Sequence, residues 1–242
     1  MKKKLSIVIK MMGTRKIKFL FVFLLTVFGT LTVFGTAQLS DIIIYNGREY
    51  ELLSHPMQVY FNQYPDKLPK ERVSITTLWR GYIAKFEVIN KQLYLIDIEI
   101  LVEDSPNKDS PVKRKSIMND IFPNQRLVKI DWLIGLLVLP YGELVNYVHF
   151  GYQSTYEHYL LLEFYKGHFV KKKHFKCKEY VIFKEKQLQA FKNTDEYKKM
   201  EADYLKIGSP EEFERAVRVW DTDKYTSLIL PRKYRSKIKK TF

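Results

Sequence analysis

The sequence predicts an α+β fold, in which an antiparallel sheet of about eight strands in successive hairpins is packed by an early helix and C-terminal helices. Three observations lead to this prediction. Short runs of apolar, β-branched and aromatic residues recur between turn residues as far as residue 173. One early segment and the end of the chain have the apolar spacing of helices. No long-period repeat divides the chain, so we expect a single core.

Four hairpins are predicted from strand-like runs that flank turn residues. Asn46 and Gly47 suit a type I′ turn, because both central residues of that turn need a positive φ. Further turns are expected at 90–91, at 140–142 and at 166–167. The strand pairs that these turns predict are 41–45 with 49–52, 78–88 with 93–102, 127–139 with 144–150, and 159–165 with 168–173.

The early helix is predicted between two prolines. Ser54 or His55 is expected to cap it, Pro56 lies in its first turn, and Pro65 ends it. Its apolar stripe, at helical spacing, is Met57, Tyr60, Phe61 and Tyr64.

The second half of the chain contains an expected loop and further helices. The polar insert 103–115 is expected to be an exposed loop before a short helix at 116–121. Residues 178–206 are rich in helix formers, and Gly208 is expected to end that helix. The last helix has a complete start signal, which is Ser209 as cap, Pro210 at the first position and Glu212 three residues after the cap.

The first 37 residues have the order of a secretory signal peptide. A lead with seven Lys or Arg and no acid precedes an apolar run at 19–34, and small residues end at Ala37. The run is shorter than the roughly 20 residues that span a bilayer. We therefore expect cleavage before Gln38 and export to the periplasm or the cell exterior; the alternative is an uncleaved N-terminal membrane anchor. The expected organisation is a signal peptide at 1–37, a single domain at 38–230 and a basic tail at 231–242.

The net charge of +14 belongs to the two ends of the chain. Residues 224–242 hold seven more Lys or Arg and no acid, so the body at 38–223 is neutral on balance. A neutral body argues against specific nucleic-acid binding. We expect weak contact with an anionic surface through the basic tail, and otherwise an unidentified protein or envelope partner.

Motifs for cofactor chemistry are missing from the sequence. It contains no glycine-rich phosphate loop, no paired cysteines, no His-Glu-x-x-His helix and no Gly-x-Ser-x-Gly elbow. Cys177 is the only cysteine, so no intramolecular disulfide can form. The histidines lack metal-ligand spacing. We expect neither a cofactor nor a metal, and no catalytic residue is assigned.

The densest polar and aromatic cluster follows a predicted strand end. In a binding or catalytic role, His149 would act as a donor or general base, oriented by Glu157 or Asp131, with Ser154 as a nucleophile. In the alternative, His149 is an ordinary sheet residue bonded to a backbone carbonyl. The candidate binding residues of this cluster are Asp131, Tyr147, His149, Tyr152, Ser154 and Glu157.

A second candidate cluster is Trp79, Arg80 and Tyr82, on a predicted strand interrupted by Gly81. Arg80 beside Trp79 could recognise a carboxylate or the face of a sugar. In the alternative, Trp79 lies in the core and Arg80 pairs with an acid.

Both clusters carry a resemblance to a family of bacterial proteins that has no assigned activity. The runs LWRGYIAKFEVINKQLYLIDIEI at 78–100 and DWLIGLLVLPYGELVNYVHFGYQSTYEHYLLLE at 131–163 resemble that family's Trp-Arg-Gly-Tyr, Leu-Tyr-Leu-x-Asp-Ile and His-x-Gly-Tyr-Gly-Ser-x-Tyr-Glu motifs. The chain departs from the pattern at Gln153, where the family has Gly. The resemblance implies a shared fold and marks these residues, but it supplies no reaction.

Two functional classes follow from these observations. The first is an exported, non-enzymatic binding or interaction protein of the cell envelope or periplasm. The alternative is a hydrolase or carbohydrate-active protein that uses the loop from His149 to Glu157. A pocket that holds His149, Glu157 and Arg80 together would favour the enzyme, whereas separation of these residues would favour the binding protein.

Overall fold

The structure is a computed structural model that describes residues 37–104, 111–149 and 152–220. Within these ranges the chain forms nine strands, five α-helices and two short 3-10 turns. The strands are β1 (Asp41–Tyr45), β2 (Arg48–Leu52), β3 (Ile83–Ile89), β4 (Gln92–Glu103), β5 (Val112–Ser116), β6 (Val128–Lys129), β7 (Ile134–Asn146), β8 (Thr155–Tyr165) and β9 (His168–Lys176). The helices are α1 (Pro56–Gln63), α2 (Met118–Ile121), α3 (Cys177–Lys192), α4 (Asp195–Tyr204) and α5 (Pro210–Trp220), with 3-10 turns at Pro65–Lys67 and Thr76–Leu78.

One mostly antiparallel sheet contains all nine of these strands, which confirms the predicted α+β class. Its main path runs β2-β1-β3-β4-β9-β8-β7, and β5 and β6 pair with β4 beside this path. β1 and β3 are parallel, with Ile43 opposite Phe86. The hairpin prediction does not include this pair, because parallel neighbours need a long crossover connection.

The sheet curves until its two outer strands meet. The Leu53 amide, just after β2, donates to the Val138 carbonyl of β7 at 3.0 Å. The Val138 amide donates to Ser54 Oγ at 3.4 Å. The concave face therefore encloses the main core, whose largest fully buried members include Phe86, Leu95 and Phe164.

Helix α3 covers the opposite face of β7, β8 and β9. There Tyr180 stacks on Tyr159, with ring centroids 3.9 Å apart. Leu161 and Phe175 belong to the same buried cluster. Helices α3, α4 and α5 share a further small core of Leu188, Phe191, Tyr197, Phe213 and Val217.

Three of the four predicted hairpin turns are confirmed. Asn46 and Gly47 have φ of 52° and 74°, and the turns at 90–91 and 166–167 also have positive φ at both positions. The glycine is required at Gly167, because a Cβ there would collide with the Ile130 carbonyl. The capping box at Ser209 is also confirmed, since Glu212 N donates to Ser209 Oγ and Ser209 N donates to the Glu212 carboxylate.

The predicted hairpin turn at 140–142 is wrong. β7 runs through Pro140 without reversing, and its register with β8 shifts between Tyr141 and Leu144. Gly142, with φ of 84°, serves a bulge instead of a turn. The chain reverses after Asn146, and residues 147–154 join β7 to the antiparallel β8.

Three other boundaries differ from the sequence-based expectation. The strand expected from residue 78 begins at Ile83, after a 3-10 turn. The expected loop 103–115 contains β5, which is exposed throughout and pairs with β4 as a charged edge strand. The helix expected over 178–206 is divided into α3 and α4, because Thr194 caps α4 by accepting the Tyr197 amide at 3.2 Å.

The expected signal peptide, apart from Ala37, and the basic tail lie outside the described residues. Among the helices that the structure does describe, none is long and apolar enough to cross a membrane.

Candidate functional site

The structure places Trp79 at the surface and Arg80 in the interior. Both follow the 3-10 turn at 76–78 instead of lying on a strand. Trp79 is 54% exposed, whereas Arg80 is only 5% exposed. Gly81, with φ of 78°, allows the chain to turn here, and the Arg72 side chain lies where a Cβ would be. The alternative with Trp79 in the core is therefore wrong, but its pairing of Arg80 with an acid is correct.

The guanidinium of Arg80 joins three separate parts of the chain. Nη1 donates to the Tyr152 hydroxyl at 2.6 Å. Nη2 donates to the Leu39 carbonyl at 2.9 Å and to Asp41 Oδ1 at 3.3 Å. The Tyr152 hydroxyl in turn donates to the same Leu39 carbonyl at 3.0 Å. Arg80 thus connects the start of β1 to the β7–β8 connection.

Asp41 and His55 complete this arrangement. Asp41 is fully buried, and its Oδ1 also accepts the Ala84 amide at 2.9 Å. His55 lies 3.5 Å from Asp41 Oδ2 through Nδ1 and 3.5 Å from Arg80 Nη1 through Nε2. A tautomer with its hydrogen on Nδ1 satisfies both contacts, because it donates to the carboxylate and accepts from the guanidinium. We refer to Asp41, His55, Arg80, Tyr82 and Tyr152 as the Arg80 cluster.

Charge and burial oppose each other in the Arg80 cluster. Burial disfavours the cation of Arg80, but the Asp41 carboxylate and the neighbouring phenols outweigh it, so the pKa of Arg80 is raised. The pKa of Tyr82 is also raised, chiefly by burial and further by Asp41, although the nearby Arg80 guanidinium opposes this rise. The Tyr82 hydroxyl has no hydrogen-bond partner among the described residues, and Arg80 Cζ lies 5.6 Å from its ring centroid. The cluster therefore holds its charges in internal bonds.

Besides Tyr152, the β7–β8 connection holds three further predicted candidates. Ser154 Oγ accepts the Val148 amide at 3.0 Å and lies 3.3 Å from the Val148 carbonyl, so this hydroxyl braces the loop. Tyr147 and His149 are exposed, and the Tyr147 hydroxyl lies 3.2 Å from His149 Nδ1. Gly151 lies outside the described residues.

Glu157 and Asp131 are not gathered around His149. Glu157 Oε2 accepts the Glu143 amide at 3.1 Å, beside the bulge at Gly142. Asp131 precedes β7 and His149 follows it, so the 13 residues of that strand separate them. The structure unites Arg80, Tyr82 and Tyr152, and it leaves the proposed His149 set dispersed.

Sequence reasoning missed Asp41 and His55. Asp41 opens an apolar strand, and His55 was considered only as a helix cap. They lie 39 and 25 residues from Arg80, so no local spacing indicates the contact. In the part of the chain that the structure describes, no group of three His, Cys, Asp or Glu side chains is placed to hold a metal ion.

Large apolar side chains remain exposed on the segments that the Arg80 cluster connects and at the adjoining end of β7. Gln38 Oε1 accepts the Trp79 amide at 3.4 Å, and the Leu39 carbonyl accepts from Arg80 and Tyr152. The exposed side chains, here called the exposed rim, are Leu39, Trp79, Leu144, Val145 and Tyr147, and they are between 37% and 57% accessible.

Comparisons of the chain with protein-family models, with curated proteins and with solved structures find no match.

Proposed function

We propose that this chain is a non-enzymatic binding protein, exported to the periplasm or cell envelope, that presents the exposed rim to a protein partner. One observation carries the proposal: large apolar side chains are exposed on segments held in place by a buried, internally bonded charged cluster. Because these segments are already ordered before the partner binds, association costs less conformational entropy.

The composition of the exposed rim supports this role. Single exposed apolar residues are ordinary, whereas contiguous exposed apolar surface is typical of interaction sites. Trp and Tyr are the side chains most enriched among energetically dominant contacts of interfaces. Trp79 and Tyr147 are each about half exposed, and both therefore have surface to lose to a partner.

The hydrolase alternative receives less support from the same contacts. A general base must reach the group that it deprotonates, but His149 Nδ1 already lies within hydrogen-bond distance of the Tyr147 hydroxyl. Ser154 Oγ is engaged with the Val148 backbone, and Glu157 with the Glu143 amide. Arg80 is buried in its own cluster. The separation of these residues favours the binding protein.

Site-specific photo-cross-linking in the native host tests the exposed rim. A photoreactive residue at position 79, 145 or 147 should give the same adduct, and one at Ile207, which is 87% exposed elsewhere, should not. Replacing Trp79 and Tyr147 by Ser should then abolish the adduct from position 145. Equal adducts from position 207, or no adduct from the rim positions, would contradict the proposal.

Export is tested separately by N-terminal sequencing of the protein from its native host. The expected result is a mature chain that begins near Gln38, because small residues precede that position. Retention of Met1 on cytoplasmic protein would exclude export while leaving the rim experiment unaffected.

A further inference from the structure

A small cavity lies on the outer face of the sheet, away from the Arg80 cluster. It has a volume of about 140 Å³ and lies between β7, β8, β9 and α3. Leu136, Leu161, Phe175 and Phe183 form its apolar wall. Glu163 and Lys171 also line it, and they are directly opposite one another on β8 and β9.

The carboxylate of Glu163 is buried without hydrogen bonds from the described residues. Glu163 is 1% exposed, and neither of its oxygens has a hydrogen-bond partner there. Lys171 Nζ lies 3.0 Å from Oε2 as an ion pair, and the lysine side chain is 53% exposed. A buried acceptor without a donor is costly. A ligand that donates to Glu163 would remove this cost.

Cations outnumber the acid at this cavity. Lys171 faces Glu163, and Lys173 lies one row further along the same face, with Nζ 4.6 Å from the Phe175 ring centroid. Lys172, between them, reaches toward Tyr45 on the other face of the sheet. One carboxylate and two ammonium groups leave a positive charge at the cavity, which favours a ligand that also carries an anionic group.

The apolar wall sets the size of the rest of the ligand. A cavity of roughly 150 Å³ lined by Leu, Ile and Phe accommodates benzene. The cavity beside Phe175 and Phe183 is of similar size, so it suits a phenyl or a branched aliphatic group.

We infer that this cavity binds a small apolar zwitterion, an α-amino acid with a branched aliphatic or aromatic side chain. The ligand ammonium donates to Glu163, its carboxylate lies near Lys173, and its side chain contacts Phe175 and Phe183. This site is independent of the exposed rim and does not rest on the proposed binding function.

Titration of the full chain with L-leucine and L-phenylalanine, followed by calorimetry and by NMR, tests the inference. Three comparison compounds each lack one part of the ligand: glycine lacks the apolar group, 4-methylpentanoate lacks the ammonium, and L-leucinamide lacks the carboxylate. L-leucinamide also represents the first residue of a peptide. Each should bind about tenfold more weakly than L-leucine or worse, because each loses one contact. Absence of binding by both amino acids at millimolar concentration, or equal binding of any comparison compound, would overturn the inference.

Matched variants locate the binding. Glu163→Gln and Lys173→Gln should each weaken L-leucine binding about tenfold or more, because each loses a charge-assisted contact. Glu143→Gln and Lys178→Gln, at exposed positions outside the cavity, should leave the affinity unchanged. If Glu163→Gln fails to fold, Lys173→Gln and the comparison compounds still decide the matter. Unchanged affinity in Lys173→Gln would overturn the proposed orientation and with it the inference.

Discussion

Arg80 and Glu163 are both buried charged side chains, but their surroundings differ in one respect. Arg80 donates to Tyr152, to Leu39 and to Asp41, and only its Nε lacks a partner among the described residues. Within the described ranges, Glu163 has one half-exposed counter-ion and no hydrogen bond to either oxygen. A buried charge whose bonding groups are occupied stabilises the native contacts around it. A buried charge whose bonding groups are open is free to select a ligand.

The largest expected effect on stability comes from removing the guanidinium of Arg80, whose hydrogen bonds are formed within the protein. Arg80→Met should lower the free energy of unfolding by about 3–5 kcal/mol, because it leaves the fully buried Asp41 without its counter-ion. Urea denaturation measures this change. Trp79→Met, at the exposed neighbouring position, is the control and should stay within about 0.5 kcal/mol of the parent. If the two variants were equally stable, Arg80 would contribute no more to stability than a surface residue.

Removing the charge of Glu163 is expected to change the free energy of unfolding in the opposite direction. Glu163→Leu should raise the free energy of unfolding by about 1 kcal/mol, because an apolar side chain fits the wall of Leu161 and Phe183 and the half-exposed Lys171 remains in contact with water. Thermal and urea unfolding without ligand measure this effect. Glu143→Leu, on the exposed part of β7, should give no such gain. A large loss of stability in Glu163→Leu would make Glu163 a structural residue like Arg80.

A single hydroxyl sharpens the comparison within the Arg80 cluster. Tyr82→Phe should raise the free energy of unfolding by about 1 kcal/mol, because the buried Tyr82 hydroxyl has no partner among the described residues. Tyr159→Phe is the matched control, since the equally buried Tyr159 hydroxyl accepts the Tyr156 amide at 3.0 Å. That control should lose about 1 kcal/mol. If the free energy of unfolding changes in the same direction in both variants, then hydrogen bonding of the buried hydroxyl does not determine the sign of the effect.

Turn and cap residues were predictable because their physical cause is local. A positive φ at Asn46 and Gly47, or a capping box at Ser209, depends on residues a few positions apart. Gly142 was misassigned for the same reason. A glycine with positive φ serves a bulge as well as a turn, and the choice depends on the partner strand β8, which sequence spacing does not specify.

The candidate site was predictable only in fragments. Arg80, Tyr82 and Tyr152 were named in two separate clusters, and their contact depends on where the β7–β8 connection lies against β1. Asp41 reaches Arg80 because β1 lies parallel to β3, a pairing without a hairpin signal. The alternative that placed Trp79 in the core was wrong because a residue in a turn does not follow the alternation of a strand.

The long-range closure by Tyr152 has a consequence for the order of folding. The Tyr152 hydroxyl and the Leu39 carbonyl are 113 positions apart, whereas β7, β8 and β9 pair with their neighbours in the chain. Contacts that close long loops form slowly, so the three consecutive strands are expected to nucleate and the Arg80 contacts to form after the transition state. Loss of Arg80 should then accelerate unfolding far more than it slows refolding. The same guanidinium would thereby set how long the native state survives once it has formed.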